Sequence, residues 1–243
     1  MIKTAKKTVQ QAFHLFGLDV KWHVPHPVHD LFELLKLYQV DTVFDIGANS
    51  GVSGEYFRNI GFAGKMVSFE PVSDLYQQLE KRVSKDPLWL SENVAIGDQE
   101  GEQEIYLTGG AGAANSFLVS IGQMEQVAPE LATIGREMVK LRTLRSIIEE
   151  HYPRGNRLFL KIDAQGYEKK ILEGAVDQLN KVVGIRIELS IVRSYAGEPL
   201  ICEMLPYLYE LGYRVCAIDE AWSDRTTQEV YQVDAILFRV AKT

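Results

Sequence analysis

Apolar and polar positions change their rhythm near residue 40. Before it, the spacing is helical, with a break at "HVPHPVH" where Pro25 and Pro27 forbid a continuous helix. From His29 to Gln39, Leu31, Leu34, Leu35 and Tyr38 fall on one helical face. From Asp41 onward, short apolar runs alternate with amphipathic stretches. "TVFDI" reads as a strand, "GVSGEYFRNIGF" as a helix ended by Gly61, and "KMVSFE" as a second strand. "VSDLYQQLEKRVSK" is a helix with Leu75 and Leu79 at i, i+4, and "LWLSENVAI" a third strand. Strands separated by helices of this length predict βαβ units and a mostly parallel sheet with helices on both faces.

Between Gly97 and Leu141 the rhythm weakens. "GEQEIYLTGG" predicts a short edge strand, "GGAGAANSF" a loop, and "REMVKLRTL" another strand. Order then returns with strand "RLFLKID", helix "YEKKILEGAVDQL", strand "VVGIRIELS" and a helix over "EPLICEMLPYLYELGY" that contains Pro206. "RVCAID" and "EVYQVDAILFRV" flank the acidic loop "EAWSDRTTQ", a candidate lid, and are expected to pair as an antiparallel edge. The organisation expected is an N-terminal helical extension over 1–40, a candidate lid, followed by one α/β domain over 41–243.

Composition narrows the function classes. The chain has 243 residues, 46% of them hydrophobic and 24% charged, which suits a globular domain. A formal net charge of −7 argues against a basic nucleic-acid footprint. No run approaches the ~20 apolar residues of a membrane span, and the N-terminus lacks the apolar core of a signal peptide. A cytoplasmic protein is expected, with Cys202 and Cys216 as buried free thiols.

The chemistry gathers at strand ends. "TVFDIGANSG" ends a buried strand on Asp45 and turns at once through Gly47, Ala48, Asn49 and Gly51. Glycines here let a ligand approach the backbone, and the next helix aims free amides at it. The turn is not G-x-G-x-x-G, so a zwitterionic amino-acid tail suits it better than a dinucleotide pyrophosphate. Glu70 ends the second strand and is placed to hold both hydroxyls of a ribose, with Pro71 fixing the chain's exit. Together these point to S-adenosylmethionine (SAM). "FLKIDAQGYE" repeats the pattern: Asp163 ends a strand, Gly166 permits close approach, Glu168 is suited to capping a helix, and Lys161 is expected to point away. Glu188 ends the next strand, so three acids line one edge. No metal-ligand spacing is diagnostic, and no metal is assigned.

In order, "VFDIGANSG", "VSFEP", "NVAIGD", "FLKIDAQGYEKKILEGA", "IELS" and "QVDAILFR" resemble the FkbM family of SAM-dependent methyltransferases over roughly residues 40 to 240. The resemblance implies a Rossmann-like class I methyltransferase sheet of seven strands and methyl transfer to oxygen on a sugar, glycan or natural-product acceptor. It implies that Asp45, Gly47, Asn49 and Gly51 hold the methionine moiety, that Glu70 holds the ribose, and that Asn93 to Asp98 pass near the adenine. Two departures bear on the acceptor: Arg145 in "TLRSII" stands where relatives carry an acid, and Asn115 to Leu118 ("NSFL") replaces a serine-rich stretch.

A sugar hydroxyl is a weak acid, so a base beside it would help. Asp163 and Glu188 are the candidates, with His23, His26 and His29 as alternatives if the extension folds over the cleft. Tyr167, Tyr195, Trp222 and Tyr231 are candidates for stacking on a sugar face. The rival readings are a SAM- or carbohydrate-binding module without transfer and a nicotinamide-dependent oxidoreductase. The expected partner is a small-molecule or glycan acceptor, not a nucleic acid, and a homo-oligomer is left open.

Overall fold

A computed structural model describes residues 31–155 and 157–239. The extension before Leu31, with its three histidines, lies outside the described residues. The elements run α1 (Leu31–Leu37), β1 (Thr42–Ile46), α2 (Val52–Asn59), β2 (Lys65–Phe69), α3 (Ser73–Val83), β3 (Trp89–Glu92), β4 (Ala95–Gly97), β5 (Gly101–Thr108), α4 (Gln123–Val127), β6 (Thr133–Thr143), α5 (Leu144–His151), β7 (Leu158–Ile162), α6 (Glu168–Glu173), β8 (Val182–Ser190), α7 (Ile201–Glu210), β9 (Tyr213–Ser223) and β10 (Val230–Arg239). Among the described residues, no helix is long and apolar enough to cross a membrane.

Seven strands form one sheet in the order β3-β2-β1-β7-β8-β10-β9. β3, β2, β1, β7 and β8 are parallel, and β10 is antiparallel to both its neighbours. The antiparallel strand is present as expected, but it lies one place in from the edge. The cause is the connection. α7 carries the chain past β8 to the outer position of β9, and a short hairpin turn then returns β10 into the gap. Strand order reverses between β1 and β7, which is where a parallel sheet opens a crevice at its carboxyl edge.

A second sheet, β4-β6-β5, stands apart. It accounts for the weak rhythm after Gly97, and it splits the predicted third strand: β3 pairs with β2, whereas β4 pairs with β6. Asn93 marks the break. Its Nδ2 donates to the carbonyls of Glu70 and Pro71, both at 2.9 Å.

Each face of the large sheet has its own core. Phe44, Ile46, Leu160, Ile162, Ile185 and Ile187 pack with residues of α5, α6 and α7. Val43, Met66, Phe159, Ile236 and Phe238 pack with α1, α2 and Trp89. Full burial of side chains this size contributes roughly 1.5–3 kcal/mol each, so these layers fix where the strand ends lie. The two cysteines depart from expectation. Cys202 is exposed and Cys216 is half-buried. α7 buries Met204 and Leu208, a spacing that turns Cys202 outward.

Candidate active site

A cavity of about 220 Å³ opens at the carboxyl ends of β1, β2 and β7. Ile46, Phe69, Leu75, Val94 and Ile96 give it apolar walls, while Glu70, Asn49 and Asp163 bring polar groups to it. The loop Gly112–Phe117 closes another side, and Tyr167 packs edge-on against Phe117 with centroids 5.0 Å apart.

The β1 turn is built to admit its neighbour. Gly47 has φ +71°, and a Cβ there would lie 1.8 Å from the carbonyl oxygen of Asp163. The missing side chain therefore lets the loop after β7 touch the turn after β1. Gly51, at φ +92°, faces Leu79 Cδ1, which would lie 2.9 Å from an added Cβ. Its role is internal packing, and neither Gly51 nor Ala48 lines the cavity. Asn49 adopts φ +50°, a left-handed conformation that asparagine tolerates better than most residues.

Glu70 locks the turn from β2. Its Oε2 accepts from the Asn49 amide at 2.7 Å and its Oε1 from the Val72 amide at 2.9 Å. Each oxygen keeps a lone pair for a further donor. Burial pushes the carboxyl up to about 7; the two amides and Lys161 pull it down, and Asp45 adds to the rise.

Asp45 differs from its sequence reading. It is wholly buried and does not line the cavity. Its Oδ2 accepts from Ser53 Oγ at 2.7 Å and Ser68 Oγ at 3.1 Å, and Ser68 Oγ in turn accepts from Trp89 Nε1 at 2.9 Å. Its Oδ1 has no hydrogen-bond partner among the described residues but lies 3.4 Å from Lys161 Nζ, an ion pair. Strand parity is the cause: Phe44 and Ile46 point toward the cavity side, so Asp45 must point to the opposite face. Lys161 sits on that face too, as expected, but it is no bystander. Its Nζ donates to the Gly47 carbonyl at 2.9 Å and lies 3.6 Å from Asp163 Oδ2. Asp163 and Asp45 hold its ammonium above the ordinary lysine range against the effect of burial.

Asp163 lines the cavity, and Glu188 stands behind it. Gln165 joins them: its Nε2 donates to Asp163 Oδ1 at 3.0 Å and to Glu188 Oε2 at 2.6 Å. Gln232 Nε2 also donates to Glu188 Oε2, at 2.9 Å. Burial, then Asp163 and Glu168, raise the Glu188 carboxyl well above the usual carboxylate range. Glu168 takes the capping role: its Oε1 accepts from the amides of Ala164 at 2.9 Å and Gly166 at 3.2 Å. Burial raises it to about 7.

The roof over the cavity was legible only as a loop. Asn49 Nδ2 donates to the carbonyl of Ala111 at 3.2 Å and lies 3.4 Å from that of Gly112. Ser116 Oγ donates to the Gln165 carbonyl at 2.7 Å, and the buried Tyr195 hydroxyl lies 3.1 Å from the Ala114 carbonyl and 2.9 Å from Gln165 Oε1. Asn115, Ser116 and Phe117 of the divergent "NSFL" stretch do line the cavity.

Of the residues singled out by sequence, Gly47, Asn49, Glu70, Pro71, Asp163 and Tyr167 line the cavity, as do Asn115 to Phe117 of the "NSFL" stretch. Asp45, Ala48, Gly51 and Glu188 surround it. Asn93 and Asp98 do not reach it, although Val94, Ala95 and Ile96 between them do. Asp98 is paired instead with Lys170 at 2.9 Å. Trp222 packs on Tyr231 with centroids 4.8 Å apart, in the hairpin rather than the cavity. The sequence reading does not single out Gln165 or Gln232, and it gives Lys161 no role beyond pointing away. The signal available was a charged or amide residue inside an otherwise apolar strand or on its exit turn. Away from the cavity, Glu92, Glu150 and His151 bring ligand atoms within 4.8 Å of one another. Arg142 Nη1 already supplies countercharge there, 3.5 Å from Glu92 and 2.9 Å from Glu150.

The model of the FkbM methyltransferase domain matches residues 45–215. The chain belongs to this family, whose methyl donor is S-adenosylmethionine. A similar solved structure is the FkbM methyltransferase of Methylobacillus flagellatus KT, with a TM-score of 0.52, 14% identity and 80% of this chain covered. The chain spans 43% of that protein's length, and at this identity the likeness concerns the fold. An rRNA methylase from Streptococcus thermophilus is more distant, with a TM-score of 0.47, 10% identity, and coverage of 90% of this chain and 100% of that one. No curated protein matches the sequence.

Proposed function

We propose that the chain transfers the methyl group of SAM to a hydroxyl of a sugar, glycan or natural-product acceptor. The observation that carries this reading is an acid pair, Asp163 and Glu188, bridged by one amide at the rim of a cavity whose other side presents Glu70. The residues present fit the cofactor. Glu70 offers two carboxylate oxygens to the ribose hydroxyls, and Phe69, Leu75, Val94, Ile96 and Tyr167 offer an apolar slot to the purine. Gly47 and Asn49 are left for the amino-acid tail. Asp45, Ala48 and Gly51 act through the turn they build.

When bound, SAM supplies an electrophilic methyl on a cationic sulfur. The chain supplies position and charge. Holding an acceptor oxygen in line is worth up to ~7–11 kcal/mol in favourable cases. The acid pair accepts the hydroxyl proton, with Asp163 lining the cavity and Glu188 behind it. The overall acidic charge fits a small-molecule or glycan acceptor and not a nucleic acid.

The test is release of S-adenosylhomocysteine over a panel of glycosides and hydroxylated natural products. Asp163→Asn should keep SAM affinity and lower turnover by roughly 10²–10⁴-fold, the usual range for a lost proton acceptor. Undiminished transfer by that variant would remove Asp163. Calorimetric SAM binding with no product on any acceptor would favour a binding module without transfer.

A further inference from the structure

Gln165 is held at φ +50°, a conformation that glycine adopts more cheaply. A long polar side chain kept at such a position asks what it holds. Its Nε2 donates to Asp163 Oδ1 at 3.0 Å and to Glu188 Oε2 at 2.6 Å, while its Oε1 lies 2.9 Å from the Tyr195 hydroxyl. The orientation of the amide is forced. Turned over, it would set an oxygen against two carboxyl groups. Two carboxylates brought to one point repel and tend to trap a proton between them. An amide nitrogen carries two protons of its own, so it can donate to both acids at once.

We propose that Gln165 is the positioning residue of the acid pair: its single amide nitrogen sets the separation of Asp163 and Glu188 and fixes the direction of both carboxyl groups. This rests on the reading above only in treating the pair as catalytic. The pair does not stand alone. Glu188 is faced by Lys161 from β7 and Asp163 just past its end, by Glu168 from α6, by Gln232 and Asp234 from β10, and by Tyr195 from the segment after β8. Lys161 supplies the countercharge 3.6 Å from Asp163 Oδ2. Tyr195 and Ser116 continue the chain of contacts from Gln165 to the roof loop. Gln165 thus ties the acids to the wall of the cavity as well as to each other.

The test needs no acceptor. In the full-length wild-type chain, carboxyl ¹³C and side-chain amide ¹⁵N signals are followed together as pH is varied. The Gln165 amide signal should move with the same midpoint as the Glu188 carboxyl. In Gln165→Met, which keeps length but removes both donors, the Glu188 midpoint should rise by about one pH unit, because hydrogen bonds to the ionised form are lost. A wild-type amide signal that stays flat through the Glu188 transition would overturn the proposal. So would a Gln165→Met midpoint equal to that of wild type. A purely structural residue would lower the melting temperature and leave the midpoint in place. Calorimetry with SAM on the same samples separates the two readings: absent binding by wild type would remove the proposed function and leave the Gln165 result standing.

Discussion

Glu70 gives the sharpest test of the cofactor reading. Burial holds its carboxyl at about 7, despite two backbone amides and Lys161 that favour the ionised form. At pH 7 the free protein therefore carries it about half protonated. Ribose hydroxyls donating to this carboxylate would favour ionisation, so SAM binding must expel the remaining proton. The sign follows: affinity rises with pH up to about 7 and then levels. One pH unit below the midpoint about a tenth of the groups are ionised, which predicts roughly tenfold weaker binding, or about 1.4 kcal/mol. Near pH 7 about half a proton should be released per SAM bound. Isothermal titration calorimetry in buffers of different ionisation heat measures both quantities. Glu70→Gln is the control: it should weaken binding by tenfold or more, and any pH dependence that persists belongs to the ligand's own amino group. Affinity that is flat from about pH 5.5 to 7, or a slope unchanged in Glu70→Gln, would refute the assignment of Glu70 to the ribose.

Three further predictions concern the scaffold. Glu168 is raised to about 7, so its contribution to stability is full below about 4.5 and is lost as pH rises through 7. Its Oε1 alone takes both amides, and a glutamine oxygen can do the same, so Glu168→Gln should stabilise the protein by about 2–3 kcal/mol at pH 8 and by nothing near pH 4, as read from urea melts. Gly47→Ala meets a left-handed backbone and the Asp163 carbonyl at 1.8 Å; the conformation alone costs about 1–2 kcal/mol, and the melting temperature should fall by about 5 °C or more with SAM affinity reduced, whereas a wild-type melt would contradict the close approach. Asn49→Gly keeps the left-handed turn but drops the Nδ2 tether to Ala111, so dissociation of SAM measured by stopped flow should quicken by about fivefold, with little change in melting temperature.

Strand succession and the acids at the strand ends were readable because each rests on local pattern: apolar runs, glycine turns and a carboxylate at a run's end. Other features depend on pairing. "LWLSENVAI" is one apolar run in sequence, yet β3 and β4 belong to different sheets, and no local signal marks which partner each takes. The roof loop is low in apolar residues, and only its contacts with Asn49, Gln165 and Tyr195 define it.

The direction of Asp45 was within reach of the sequence. β1 and β7 are buried on both faces, so apolar alternation carries no information about which residue faces where. The charged residues carry it instead. Asp45, Lys161 and Arg186 are lone charges in apolar surroundings, and the register aligns Asp45 with Lys161 and Lys161 with Arg186. Arg186 continues the row to Asp234 through a 2.7 Å ion pair. One polar stripe therefore crosses four strands on the face away from the cavity. Asp163, one residue past the end of β7, and Glu188 of β8 follow two residues after Lys161 and Arg186. A buried lysine in such a stripe serves the acids on both sides of it: Lys161 neutralises Asp45, braces Gly47 and leaves Asp163 near a positive charge at the cavity's rim. The turn that admits the cofactor and the acid proposed to take the proton are thus held by the same ammonium group, so a change at Lys161 reaches both at once.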